Sequence, residues 1–321
     1  MSIPVSVGSI SLRLYPHDVA AVEQVALLRA QAGRAVEIGY DGVMVAEHHA
    51  DFPGYLPNPV QLAGFLLDAM PRGWAAPCPL LLPMKPYALI AEDLAWLDAA
   101  HPGRVGVGFA AGALPVDFEL AEVPFDEITD RFKDALPRIV AALRGRDDTP
   151  LAADRAVART VSRPFPMVVA AQSRAAVRRA ARLGLGILYD SLQTTEVTAR
   201  LNAEYVEAGG DGPRVAIRRV WVGDPPGEEM AAQMAHYLSY APEAAMKNWD
   251  GDQLISAPTG TEAADRLADF LDAAGCDTVN VRVHVKGLSP DRVFEQLDRH
   301  RDDFLPHLRD RMLSVARDLP T

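Results

Sequence analysis

Cysteine is nearly missing from this chain: Cys78 and Cys276 are the only two in 321 residues, far apart and in no CxxC pair. That excludes a disulfide framework and argues against a structural zinc site, and it fits a reducing compartment. Basic residues are also in deficit. Lys and Arg number 32 against 43 Asp and Glu, a net charge of −11, so an extended polyanion such as nucleic acid is a poor partner. Long apolar runs are absent as well. The most apolar stretch, Ala75 to Met84, is broken by Pro77, Pro79 and Pro83, and Met1 to Leu14 has no basic start leading into a long apolar run. A soluble, cytoplasmic protein that makes no use of a membrane is the expectation. No internal repeat or low-complexity segment stands out.

What is present is a rich supply of core. Hydrophobic residues make up 49% of the chain, enough for one large α/β domain. Short β-rich runs alternate with longer helical patterns, as in a parallel sheet joined by crossover helices. The strands are expected at Ile3 to Ile10, Gly42 to Ala46, Pro79 to Leu82, Arg104 to Phe109, Met167 to Ala171, Gly186 to Tyr189, Val215 to Val222 and Thr278 to Val285. Helical spacing covers Val22 to Ile38, Pro59 to Met70, Tyr87 to Ala99, Phe125 to Leu143, Ala175 to Leu183, Thr195 to Glu207, Thr261 to Ala274 and Pro290 to Arg309. Eight strand-helix units in one chain favour a (β/α)₈ TIM barrel, a single domain over 1–321. Two stretches fit no unit and read as insertions, at about 144–166 and 225–258. Either could form a lid over a barrel mouth; the Tyr237, Tyr240, Met246 and Trp249 cluster of the second could equally pack on the outer helices.

The run Val43-Met44-Val45-Ala46-Glu47-His48-His49 concentrates the chemistry. An apolar strand that ends in a carboxylate and two imidazoles is how a barrel builds a site at the C-terminal end of its strands. Alternation along a strand sends Glu47 and His49 one way and His48 the other, so the two histidines do not share a metal ion. No HExxH occurs, and no metal site is expected. Gly106-Val107-Gly108-Phe109-Ala110-Ala111-Gly112 is a GxGxxxG run, one residue off the dinucleotide fingerprint. It suits either a flat ring approaching the backbone or tight strand packing. Gln172-Ser173-Arg174 joins a strand to a helix start, where amides, a hydroxyl and a cation can cradle a phosphate, although Ser173 also reads as an ordinary N-cap. Cys78-Pro79 is a candidate cis bond at a strand start.

Taken in order, Gly39-Tyr40-Asp41-Gly42-Val43 with Ala46-Glu47-His48-His49, Asn58-Pro59, Leu82-Pro83, Ala91-Glu92-Asp93-Leu94 with Leu97-Asp98, Gly103-Arg104 leading into Gly106-Val107-Gly108, Asp117-Phe118 and Gln172-Ser173 resemble the bacterial luciferase-like family of flavin-dependent oxidoreductases. The resemblance covers nearly the whole chain. It implies a barrel with insertions that binds reduced flavin mononucleotide (FMN), or a deazaflavin, at its C-terminal mouth. It puts the catalytic histidine at His48 and the cis bulge behind the flavin ring at Cys78 and Pro79. Ala110 falls beside the reactive ring carbon, and Gln172 and Ser173 fall at the phosphate. Ala111 stands where luciferases carry a phosphate-binding arginine, which leaves Arg174 as a candidate replacement. The implied activity is that of a two-component monooxygenase: a separate flavin reductase supplies the reduced flavin, and a flavin hydroperoxide formed with O2 oxidises a small organic substrate. Deazaflavin-dependent hydride transfer on the same scaffold is the alternative, and a degenerate barrel that binds flavin or a partner without catalysis is another. The family also implies a homodimer through Pro59 to Met70 and Tyr87 to Ala99.

Overall fold

The computed structural model describes residues 2–50, 52, 55–241 and 243–318, with the side chains of residue 244 and of 314–318 left aside. Among the described residues ten strands pair in parallel: β1 (Ile10–Arg13), β2 (Gly42–Val45), β3 (Trp74–Pro77), β4 (Leu80–Leu81), β5 (Val107–Ala110), β6 (Met167–Ala170), β7 (Gly186–Leu188), β8 (Arg214–Val222), β9 (Ile255–Ala257) and β10 (Thr278–Arg282). Their order is β3-β2-β1-β10-β8-β7-β6-β5-β4, with β9 added beside β8. The two ends of that order are consecutive in the chain. β3 and β4 share one barrel position, split by the cis Cys78–Pro79 bond, and Ala75 pairs with Val105 across the remaining seam. Eight positions result, the expected TIM-barrel architecture.

Several strands differ from expectation: β5 begins at Val107 rather than Arg104, β10 ends at Arg282 rather than Val285, β9 is additional, and the first and third shift most. The first begins at Ile10 rather than Ile3, because Val5 and Gly8 adopt positive φ of 51° and 81° and turn the preceding segment. The third starts five residues earlier than expected, at Trp74, and Leu82–Met84 leaves the sheet as a 3₁₀ turn.

Side-chain alternation splits the core into two layers. Val43 and Val45 of β2 face the helices, while Met44 joins Trp74, Ala76, Cys78, Val168, Leu188, Val215 and Ile217 inside the barrel. Gly42 makes room for the interior indole: a Cβ there would lie 2.2 Å from Trp74 Cδ2. The three glycines of the GxGxxxG run also serve packing. A Cβ at Gly106 would meet Val5 Cγ2 at 2.8 Å, at Gly108 the Cys78 sulfur at 2.2 Å, and at Gly112 the Phe118 ring at 2.5 Å. Protein side chains therefore occupy the space these glycines leave.

The insertions behave differently from one another. Residues 150–161 form short turns and a helix at Arg155–Ala158 that pack on the helix Tyr87–Ala100, where Trp96 Nε1 donates to Asp154 Oδ2 at 3.0 Å. The second insertion carries the helix Gly227–Tyr240, the short helix Glu243–Met246 and β9, and it reaches the mouth. No helix among the described residues is long and apolar enough to cross a membrane.

Candidate active site

A cavity of about 560 Å³ opens at the C-terminal ends of the strands, the end at which barrel loops converge. Its floor is made of small or apolar groups: Pro79, Leu81, Ala110, Ala170, Leu188 and Ile217. The second insertion supplies the opposite wall through Tyr237, Tyr240 and Trp249, so this aromatic cluster covers the mouth rather than the outer helices. A second cleft of about 510 Å³ lies beside Trp221, with Arg266, Arg292, Arg299 and Glu295 around it and no histidine.

His48 stands at the rim of the larger cavity. Its Nδ1 lies 2.8 Å from Asp117 Oδ2, and Asp117 Oδ1 accepts the backbone N–H of His49 at 2.8 Å. Asp117 is fully buried in the short helix Pro115–Leu120. A carboxylate on one ring nitrogen fixes the imidazole's orientation and leaves the other nitrogen for exchange. Glu47 turns to the opposite side, as alternation requires. Its Oε2 accepts the backbone N–H of Leu81 at 2.7 Å, and its Oε1 lies 3.3 Å from His49 Nε2. That hydrogen bond to Glu47, set against partial burial, raises the His49 pKa. The tip thus tethers β2 to β4 with one carboxylate and holds His48 with another.

Of the other sequence candidates, Pro79, Ala110, Gln172 and Ser173 line the same cavity as His48. Ser173 Oγ accepts from Ala176 N at 3.3 Å, the N-cap of the helix Arg174–Arg182. Gln172 Nε2 approaches Asp190 Oδ2 at 3.5 Å, and burial pushes the Asp190 carboxyl above its usual range. Cys78, unlike Pro79, does not line the cavity: its carbonyl accepts from Arg13 Nη2 at 3.1 Å. Its side chain is buried inside the barrel, where desolvation pushes the thiol up to about 12.

Arg174 is not brought to the cavity. Its guanidinium is two-thirds exposed and ion-paired with Glu204, which also binds Arg178 at 2.8 Å. As Arg174 and Arg178 sit one turn apart, the neighbouring helix Thr195–Glu207 offers one carboxylate to both. The expected replacement for the arginine absent at Ala111 is therefore engaged elsewhere.

Sequence reasoning missed a group of buried polar residues. Arg13, Tyr15, Arg218, Arg219, Arg282 and His284 are all under 9% exposed. Arg13 is satisfied by Asn280 Oδ1 at 2.8 Å as well as by the Cys78 carbonyl, and Arg218 by the carbonyls of Ser191, Ile217 and Gln193. The one available signal was polar residues inside the strand runs Val215 to Val222 and Thr278 to Val285, where a buried charge is unexpected.

The profile of the luciferase-like monooxygenase family matches residues 9–304. The monooxygenase RslO1 from Streptomyces bottropensis superposes with a TM-score of 0.76 at 21% identity, over 93% of this chain and 99% of that one. The oxygenating constituent of 3,6-diketocamphane monooxygenase from Pseudomonas putida, solved in complex with FMN, gives a TM-score of 0.72 at 16% identity over 94% and 98%. An F420-dependent secondary alcohol dehydrogenase gives 0.69 at 16% identity over 95% and 100%. An uncharacterised protein of Mycobacterium tuberculosis is 31% identical over 146 residues, 42% of this chain. The chain spans about half (49%) of the length of the curated relatives it matches. With barrel topology, a site at the strand tips and a family profile running almost end to end, this chain belongs to the luciferase-like monooxygenase family.

Proposed function

We propose that this chain is the oxygenating component of a two-component monooxygenase, which takes reduced FMN from a separate flavin reductase and oxidises a small organic substrate with O2. The observation that carries the reading is His48, held through Nδ1 by buried Asp117 beside a shelf of Pro79, Ala110 and Ala170. Side chains this small leave room for a planar ring to lie against the backbone. The residues present fit a flavin in this respect. Reduced FMN, when bound, supplies the electrons that activate O2.

The chain's own groups then have definable tasks. Pro79 and Ala110 would back the ring. Gln172 and Ser173 would meet the polar tail, offering neutral groups where Ala111 provides no cation. Neutral hydrogen bonds hold a phosphate less strongly than charge-assisted ones, which suits a flavin that arrives and leaves with each turnover. With Nδ1 committed to Asp117, His48 exchanges protons with the cavity through Nε2. Tyr237, Tyr240 and Trp249 exclude water from above. Exposed Phe65, Leu89 and Trp96 on Pro59–Ala69 and Tyr87–Ala100 support pairing of two copies through those helices.

Anaerobic titration with reduced FMN, followed by admission of air, tests this reading. Saturable binding and a protein-dependent change in the rate of flavin reoxidation are expected, with more peroxide released by His48→Ala once a substrate is coupled. Turnover with reduced F420 in the absence of oxygen would transfer the site to hydride chemistry. Reoxidation identical with and without the protein would favour a barrel that binds without catalysing.

A further inference from the structure

Two arginines stand behind the cavity wall without a counter-ion among the described residues. Arg219 of β8 and Arg282 of β10 are register partners on adjacent strands, 2% and 1% exposed. Like charges opposed in this way repel: burial, and after it the neighbouring Arg282, pulls Arg219 down to about 10. Their hydrogen bonds are few. Arg219 Nη2 donates to Gln233 Oε1 at 3.0 Å, Arg282 Nε donates to the His284 carbonyl at 3.1 Å, and the Arg282 guanidinium also hydrogen-bonds the Tyr237 hydroxyl. Arg219 Nε and Nη1 and Arg282 Nη2 have no partner among the described residues. Asp252 acts on Arg219, and Asp190 responds to Arg282, only from beyond ion-pairing distance.

Aromatic rings separate these charges from the cavity. The Arg282 guanidinium carbon lies 4.1 Å from the Tyr15 ring centroid and 5.7 Å from that of Tyr237, and both tyrosines line the cavity. Tyr15 is 5.5 Å from Tyr55, whose ring is 4.5 Å from His48. The cationic end therefore sits within two rings of the imidazole. Burial raises the pKa values of the Tyr55 and Tyr237 phenols, so the hydroxyls stay protonated and supply donors, not negative charge. A buried charge without a counter-charge is strongly unfavourable. The overall charge of −11 makes a local excess of cation more pointed.

We infer that the tyrosine-walled end of the cavity receives the carboxylate of an organic acid substrate, held by the hydroxyls of Tyr15 and Tyr237 with the charge of Arg219 and Arg282 behind them. The inference rests on the cavity being the reaction site and adds the class of substrate. The same wall anchors the covering helix, because Gln233 and Tyr237 lie one turn apart on Gly227–Tyr240.

The test uses benzoate and its neutral analogue benzamide, titrated calorimetrically into the flavin-free protein. Benzoate is expected to bind at least about tenfold more tightly, equivalent to about 1.4 kcal/mol. That preference should fall below about threefold in Arg282→Gln, by the same scale, and persist in Arg266→Gln, which alters the other cleft. Should Arg282→Gln not fold, the Tyr15→Phe/Tyr237→Phe double variant decides, since it keeps both rings and removes both donors. Equal binding of the two probes, no binding of either, or a preference untouched in the folded variants would overturn the inference. Because reduced FMN is titrated separately, its binding without benzoate selectivity sinks only this proposal. Benzoate selectivity without flavin binding sinks only the flavin reading.

Discussion

Asp117 uses both carboxylate oxygens on the tip of β2, 2.8 Å from His48 Nδ1 and 2.8 Å from the backbone nitrogen of His49. One buried group thus fixes the ring and the chain that carries it. Asp117→Ala should cost about 1–3 kcal/mol, the usual penalty for a buried donor left without a partner. Urea unfolding measures it. Asp117→Asn still presents an acceptor and should recover most of that loss, yet it should shift the air reoxidation rate of bound reduced FMN in the same direction as His48→Ala. An Asp117→Asn protein that reoxidises flavin like the wild type would separate the carboxylate from the chemistry.

Packing makes a sharp prediction at Gly108. The Cβ of Gly108→Ala would fall 2.2 Å from the Cys78 sulfur and 3.2 Å from Val168 Cγ2, in a barrel interior with no slack. A loss of about 1–3 kcal/mol is expected for overpacking of this kind. Adding Cys78→Ala removes the sulfur and should restore part of it. A double variant no more stable than Gly108→Ala would show that the strain lies elsewhere.

Tyr205 closes the turn ahead of β8: its hydroxyl donates to the Leu185 carbonyl at 2.7 Å and accepts from Gly212 N at 2.9 Å. The ring is fully buried. Tyr205→Phe keeps the volume and strands both backbone groups, so about 1–3 kcal/mol should be lost, seen as a lower denaturation midpoint with an unchanged slope. Stability equal to the wild type would mean that water replaces the hydroxyl.

Acid should unfold this protein partly through His300. The imidazole is fully buried, its Nδ1 is 2.8 Å from the Tyr40 hydroxyl, and burial lowers its pKa to about 3. The folded state therefore favours the neutral ring. Its contribution is complete above the unfolded value near 6.5 and is lost as pH falls from there towards about 3. Each pH unit inside that window removes up to about 1.4 kcal/mol. His284, driven lower by burial and then by His17, Arg282 and Arg219, acts in the same sense. His300→Gln should flatten the fall in melting temperature between neutral and mildly acidic pH. An unchanged slope would remove His300 from the account.

Much of the fold was legible because periodicity is a local property. The helix Thr195–Glu207 lies where its spacing puts it, and the β6 and β7 segments begin at the expected residues. The placement of Glu47 and His48 at the cavity was legible too, since an apolar strand run that ends in ionisable groups marks the strand's C-terminal end. Asp117 was within the resembling segments, but its contact with His48 spans 69 positions, and no spacing encodes that. Arg219 and Arg282 meet only because β8 and β10 become neighbours. Arg174 was misread for the same reason: the helix that offers Glu204 comes later in the chain and packs alongside. Local patterns give elements and tips; partners require the closed barrel.

The proposed site holds a reduced flavin in the cavity beside His48. Anaerobic titration of wild type and Ala110→Trp with reduced FMN, followed through protein fluorescence, tests it most directly, because the indole would fill the shelf on which the ring is to lie. Saturable binding by the wild type and none by a folded Ala110→Trp protein is the expected result. Absence of binding to the wild type, or equal binding by the two, would contradict it.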